Sequence, residues 1–405
     1  MQDKSGYADQ DERCCMSARA DVIVKLVPSI VDIDGAAWDA CANPDPKTFN
    51  PFLAHAFLKA LEVSGAVGRG TGWLPRHLVI EDENGRVAAA APCYVKSHSQ
   101  GEYVFDHSWA DAYHQAGGRY YPKLQIAVPF TPVPGPRLLV KPGARAAADE
   151  QALASAAIEI ARQNGLSSLH ITFLDRDTQA RLAALDFLPR IGQQFHWQNN
   201  GYGDFNDFLS SFASRKRKGV RKERAEAIAD GIDIEHVSGA AITEAHWDAM
   251  FKFYMDTGNR KWGRPYLNWA FFSLLGETMA ERCLLVLAKR NGRYIAGALN
   301  LIGGDCLYGR YWGATEHHPA LHFELCYYQA IDYAIAHSLA RVEAGAQGEH
   351  KLARGYMPVE TYSAHWIGDP ALRRAVERYL KQERELVHLH NADLTDMGPY
   401  RKDGT

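Results

Sequence analysis

In the second half of the chain, apolar positions change period in a fixed order. From Trp247 to Thr257 they return at helical spacing. In CLLVLAKR (283–290), RYIAGALNLIG (293–303) and DCLYGRYWG (305–313) they form short runs broken by turn residues, which predicts an antiparallel meander. The helical period resumes over Glu324 to His337, followed by a strand from Arg341 to Ala346. A short helix is expected over Glu349 to Arg354, a last strand over Thr361 to Ile367, and an amphipathic helix over 370–389. A meander followed by β-α-β is a mixed α/β layer arrangement.

The first half repeats this order. Asn84-Gly85-Arg86 leads into VAAAAPCYV and Asn291-Gly292-Arg293 into YIAGALNLI, each an Asn-Gly turn entering an apolar strand. AIEIARQNGL (157–166) matches AIDYAIAHSL (330–339). Pro189 precedes His196-Trp197, and Pro358 precedes His365-Trp366, at the same spacing of seven. The first copy carries about 30 extra residues, which the offsets place in roughly 114–147, around the Pro-rich VPFTPVPGPRLLV. These repeats predict a tail over 1–20, one unit over 21–212, a second over 213–390 and a tail over 391–405.

Composition narrows the functional classes. Of the 405 residues 46% are hydrophobic and 23% charged, enough for two real cores. The net charge of −3 gives no global attraction to DNA, so any polyanion site is local. Seven cysteines without a C-x-x-C pair read as reduced thiols of a cytoplasmic protein. No signal-like or membrane-spanning apolar run occurs, which leaves peripheral contact as the form any membrane association would take.

Long stretches carry a family resemblance. They include NPFLAHAFLKALE (50–62), GEYVFDHSWADAY (101–113), AVPFTPVPGPRL (127–138), SRKRKGVRKER (214–224), RKWGRPYL (260–267), GALNLIGGDCLYGRYWG (297–313), LHFELCYYQAI (321–331) and VEAGAQGEHKLARGYMP (342–358). From about Asn50 to Trp366 the chain resembles the FemAB-like group of bacterial N-acyltransferases, related to the Fem-type aminoacyltransferases of peptidoglycan synthesis. The resemblance implies a tandem duplicated GNAT-like acyltransferase fold with α+β mixed sheets. It implies amide formation on a small-molecule amine acceptor. It implies no tightly bound cofactor, the acyl donor being a co-substrate: aminoacyl-tRNA, acyl-CoA or a carrier-bound acyl group.

Candidate chemistry concentrates at Glu343-Ala-Gly-Ala-Gln347-Gly-Glu349-His350-Lys351-Leu-Ala-Arg354-Gly-Tyr356, where small residues let a ligand approach the backbone. By its position in the resemblance, Lys351 is implied at the donor site, gripping phosphate or stabilising charge on the reacting carbonyl. Lys351 is expected to be exposed, as on a solvated helix face. Arg310, Tyr311 and Trp312 on the meander suit an anion or a stacked ring. Glu343, Glu324 and Asp106 are acid/base candidates; Asp111, Tyr113 and Arg137 of the first half are candidate substrate contacts. Each of these polar residues has a competing structural role as a helix cap, an edge-strand residue or a loop residue. Arg215, Arg217, Lys218, Arg221, Lys222 and Arg224 fall in a segment with seven basic residues of ten, where Glu223 is the single acid. Its like-charge i,i+4 pairs suit a polyanion such as tRNA, although a solvated face or a simple connecting helix explains such a run equally well.

Other chemistries lack their motifs. There is no G-x-x-x-x-G-K-[ST], G-x-G-x-x-G or G-x-S-x-G. His317, His318 and His322 lack the H-E-x-x-H pattern of a metal helix. Arg310-Tyr-Trp-Gly313-Ala-Thr315 only approaches the GNAT pyrophosphate loop, which lowers acetyl-CoA as donor. A module that binds a cell-wall precursor or polyanion without turnover is the competing class.

Overall fold

A computed structural model describes residues 22–261, 265–346 and 348–401. The first half begins with strand Val24–Val27 and helices Gly35–Ala42 and His55–Val63. A bent hairpin follows, Trp73–Pro75 and His77–Glu81 going out, Val87–Ala91 and Cys93–Lys96 returning. Then come strand Lys123–Ile126, helix Ala146–Gln163, strand Ser168–Leu174, helix Arg176–Ala183 and strand Leu188–Gln198. The second half repeats the succession: strand Ile232–Ser238, helices Glu244–Lys261 and Trp269–Met279, and strands Cys283–Arg290, Arg293–Ile302 and Cys306–Ala314. A composite helix over 321–336 leads to strand Arg341–Glu343, the 3-10 helix Glu349–Arg354 and strand Met357–Ile367.

The strands that follow the two Asn-Gly turns occupy corresponding places. Each lies antiparallel to the strand before and the strand after it. Each third strand is then parallel to the strand that follows the helix, Lys123–Ile126 with Ser168–Leu174 and Cys306–Ala314 with Arg341–Glu343. This is the tandem GNAT-like arrangement. One departure is Pro92, which has no N–H to give a ladder. Before it, Val87–Ala91 belongs to a four-stranded sheet; after it, Cys93–Lys96 continues into an eleven-stranded one.

The units are joined by exchange of their last strands. Leu188–Gln198 pairs with Arg341–Glu343 of the second unit, and Met357–Ile367 with Ser168–Leu174 of the first. The exchanged strands also pair with each other, Met357↔His196 through His365↔Leu188. Separating the units would therefore break sheet hydrogen bonds as well as side-chain packing. Contacts such as Phe52 against Tyr308 and Phe57 against Phe271 extend one core across both units.

Several expectations are corrected. The extra residues of the first copy form two insertions, 97–122 with helix His107–Gln115, and 127–145, rather than one block at 114–147. The strand expected over 341–346 stops at Glu343, because the chain leaves the sheet there. The terminal helix, capped by Asp369, runs over Pro370–Asp396 and buries Leu372, Val376, Leu380 and Leu394. Beyond it Tyr400 donates to Gly355 O, so the chain after 390 packs on the second unit. No helix among the described residues is long and apolar enough to cross a membrane.

Candidate active site

The site forms where a parallel pair parts. Cys306–Ala314 pairs with Arg341–Glu343 only as far as Tyr308↔Glu343, so residues 309–313 keep one partner strand and turn their other edge towards a cleft. Within this stretch Leu299 pairs with Tyr311 and Asn300 with Gly309, leaving Arg310 as the extra residue of a β-bulge. Bulges re-aim side chains. Arg310 Nη2 donates to Phe130 O at 2.5 Å, across the junction of the units, while its Nε is buried without a partner.

The cleft holds three adjoining cavities. One of about 320 Å³ is walled by Tyr103, Tyr254, Tyr266, Arg310, Tyr311 and Trp312. A second of about 120 Å³ lies in the V between Gly309, Ala344 and Tyr327. The third, about 270 Å³, shares Tyr103, Phe105 and Ala346 with the first and reaches Gln194, Thr361 and Ser363 on the exchanged strands. Tyr103, Phe130 and Phe173 around this cleft have left-handed backbones, φ 60°, 58° and 59°. Non-glycine residues held there store strain, which concentrates at functional sites. The helix beside the V is π-helical over Glu324–Tyr328, another feature frequent at such sites.

Lys351 lies behind the V. It is 1% exposed and its Nζ donates to Gly345 O at 2.8 Å, holding the segment that lines the cavity of about 320 Å³. Its expected exposure is thus corrected, because the 3-10 helix turns it inwards beneath Gly345. Burial pushes its ammonium down to about 8. Glu343 is also buried: Arg341 Nε donates to Oε1 at 3.1 Å, and Oε2 has no hydrogen bond, with His196 Nε2 3.9 Å away.

Other candidates are placed elsewhere. Glu324 is engaged by Arg224 through Nη2 at 2.8 Å, and the same guanidinium reaches Asp332 at 2.6 Å. Neither is free for the base or phosphate role expected of it. Arg354 is held by Glu223 at 2.8 and 2.9 Å and lies 3.3 Å over the Phe323 ring. Tyr356 is a core residue at 0% exposure. Arg137 is pinned by the carbonyls of Val133, Gly135 and Pro136, and burial lowers it to about 9; its role is to brace the Pro-rich insertion. Asp111 is exposed on its helix and Tyr113 packs over Gly118; neither lines the three cavities. Glu349 and His350 are exposed, and Tyr327 pairs with His350 at 2.9 Å. Gln347 lies outside the described residues.

Helix Ser214–Ala227 follows the first unit in the chain and packs on the helix of the second, with Arg224 on Glu324 and Glu223 on Tyr328. Arg215, Lys218, Arg221 and Lys222 are exposed on it, and Arg217 is half-buried. A groove of about 400 Å³ separates Arg215 and Lys216 from Tyr328 and Ala353, so the basic face adjoins the helix that carries Lys351.

Asp106, an acid/base candidate from the sequence, lines none of the three cavities and sits in a buried network of the first unit that sequence reasoning missed. Lys123 Nζ contacts Asp106 Oδ2 at 2.5 Å, Glu102 Oε2 at 2.7 Å and Ser99 Oγ at 3.0 Å. Tyr120 donates to Asp106 at 2.6 Å and meets His170 Nε2 at 3.1 Å. Burial raises the Asp106 carboxyl, but Lys123 and His170 more than reverse this and hold it below its usual value. Glu102 is pushed up to about 7 by burial. The paired His-Trp dipeptides were the available signal: His365 lies 2.6 Å from His170, ring nitrogen to ring nitrogen, and His196 faces Glu343.

The chain matches the FemAB-like family, described as peptidoglycan biosynthesis/recognition, over residues 29–402. No curated protein matches it. Among solved structures it resembles FemX at 14% identity and TM-score 0.51, covering 88% of this chain and 100% of that one. It also resembles the C-terminal domain of a putative lysylphosphatidylglycerol synthetase from Agrobacterium fabrum, at 10% identity and TM-score 0.52, covering 85% and 95%. At these identities the likeness establishes the fold. With its parted parallel strands, its exchanged sheet and a family match along nearly its whole length, the chain belongs to the FemAB-like family.

Proposed function

We propose that the protein transfers an acyl or aminoacyl group from an activated donor to an amine, forming an amide in the cleft between its two units. The observation that carries this is the V beyond Tyr308 and Glu343. There an unpaired strand edge, the bulged Arg310 and an aromatic cavity of about 320 Å³ come together in front of the buried Lys351. Edge N–H and C=O groups can hold an extended donor as an added strand would. Aromatic walls exclude water, which limits hydrolysis of the activated ester. Lys351 is a proposed source of charge stabilisation for the developing oxyanion.

The proposed donor is aminoacyl-tRNA. The exposed cations of Ser214–Ala227 adjoin the groove leading to the Lys351 helix, which suits a polyanionic carrier. The proposed acceptor is an amine of a cell-wall precursor. The test incubates the protein with labelled aminoacyl-tRNA or acetyl-CoA and a lysine-containing peptidoglycan precursor, with mass spectrometry of the products. Amide product from aminoacyl-tRNA supports the reading. Precursor binding without product from either donor would leave a recognition module instead.

Changing Arg217, Lys218, Arg221 and Lys222 together to Gln is expected to weaken tRNA binding. It should also flatten the slope of log K against log salt by about one for each phosphate no longer neutralised. An unchanged slope would return these side chains to the role of a solvated face.

A further inference from the structure

The two exchanged strands carry pseudo-equivalent side chains into one cavity. Gln194 precedes His196 by two positions and Ser363 precedes His365 by two, so within each strand the pair shares a face. Gln194 Oε1 lies 3.1 Å from His196 Nε2, and Ser363 Oγ lies 2.9 Å from His365 Nε2. Both Gln194 and Ser363 line the cavity of about 270 Å³. From there the arms differ. The His196 arm ends at Glu343, behind a side-chain amide that cannot readily pass a proton. The Ser363 arm begins with a hydroxyl and continues from His365 Nδ1 to His170 Nδ1 at 2.6 Å. His170 Nε2 in turn meets Ser168 Oγ at 2.8 Å and Tyr120 OH at 3.1 Å, with Asp106 Oδ2 at 3.7 Å.

We propose that Ser363, His365 and His170 form a proton relay serving the cavity of about 270 Å³, which is thereby the site of the acceptor amine. The inference rests on the transfer reading above and assigns its proton acceptor. The relay starts from the tautomers with the proton of His365 on Nδ1 and that of His170 on Nε2, which the contacts accommodate. As the amine nitrogen bonds to the donor carbonyl, its proton passes to Ser363 Oγ. The serine's own proton passes to His365 Nε2, and the Nδ1 proton of His365 passes to His170 Nδ1. The carbonyl carbon gains a C–N bond and loses its bond to the departing oxygen, which carries the electron pair away. The amine loses one proton, Ser363 is unchanged, His365 ends as the other neutral tautomer and His170 ends as imidazolium facing Asp106.

The groups facing this chain are Asp106, Lys123, Tyr120 and Trp109 from the first-unit insertion and sheet, and Arg190 from the exchanged strand. Burial, with Lys123 and Arg190 adding to it, keeps both histidines neutral: His170 is lowered to about 3 and His365 also lies below its ordinary value. Each histidine therefore starts neutral with an open lone pair, and the same burial makes the imidazolium of His170 a costly product. Asp106 supplies the counter-charge for the product state.

The test has two arms. In the first, histidine-labelled protein without substrate is examined by NMR for exchange of imidazole N–H protons with water. Ser363→Ala is expected to slow exchange at His365 by about tenfold or more, and Ser363→Thr to restore it. Equal exchange in wild type and Ser363→Ala overturns the relay, whatever reaction the protein performs. In the second arm, with aminoacyl-tRNA and the precursor amine, Ser363→Ala lowers kcat by roughly 10²-fold with the donor KM unchanged. Ser363→Thr recovers it, and an unchanged kcat in Ser363→Ala overturns the relay. Absence of transfer by the wild type would count against the transfer reading, while the NMR arm still decides the relay.

Discussion

Replacing Lys351 with methionine is expected to lower kcat by roughly 10²–10³, the cost of losing one oxyanion donor elsewhere. A rise in KM with unchanged kcat would show ground-state grip on the donor instead. Wild-type values of both would remove Lys351 from the site. The pH profile offers an independent check. With the ammonium lowered to about 8 by burial, wild-type activity should fall as pH rises through about 8, and the methionine variant should lack that limb. Stability should move in the opposite sense to activity. A buried ammonium costs free energy, so Lys351→Met should be neutral or stabilising, by up to ~3 kcal/mol less the lost bond to Gly345 O. The linkage sign follows from the folded value lying below the ordinary 10.5. Between about 8 and 10.5 the unfolded chain binds more protons, so wild-type stability gains from Lys351 as pH rises through that window. Denaturant titrations of both proteins across it measure the difference.

Lys123→Met should produce the largest loss of stability, about 3–5 kcal/mol. Lys123 is 0% exposed and neutralises Asp106 and Glu102, themselves 2% and 4% exposed. Its removal leaves two buried carboxylates without their closest cation. In the wild type, the depressed Asp106 carboxyl contributes stability above its unfolded value, and this contribution is lost as pH falls through the folded one. In the variant the sign reverses: burial without the cation raises the Asp106 carboxyl as well, so acidification should recover stability. Urea denaturation at neutral and mildly acidic pH checks both. A Lys123→Met protein as stable as wild type would show that water or relaxation, rather than Lys123, compensates these charges. Adding Asp106→Asn and Glu102→Gln to Lys123→Met should return much of the loss, because no net charge then remains at those positions.

Much of the architecture was legible because it is written in local periods. The meander of 283–314, the Asn-Gly turns and the helix of the second unit depend on neighbours in sequence, and each formed within a few residues of its expected limits. The duplication was legible for the same reason, since collinear blocks survive in the chain itself. The exchange of Leu188–Gln198 with Met357–Ile367 was not. Strand pairing depends on a partner far away in sequence, and an alternating strand fits either neighbour equally well.

The candidate site divides in the same way. Arg310, Tyr311 and Trp312 could be selected from their residue types, and they do wall the cleft. Lys351 could be selected by position, but its burial depends on the 3-10 helix turning it under Gly345. Arg224 and Glu324 were read as separate functional charges a hundred positions apart, and the fold makes them partners. The Lys123 network and the His170–His365 contact draw on residues up to 195 positions apart, so no spacing rule could assemble them. By itself, then, the sequence determined the elements, their duplication and the family. The tertiary structure alone decided which charges neutralise one another, which strands cross between units and which side chains meet at the cleft. The physical reason is that periodicity is a short-range property of the chain, whereas desolvation and charge pairing depend on neighbours that only the completed fold supplies.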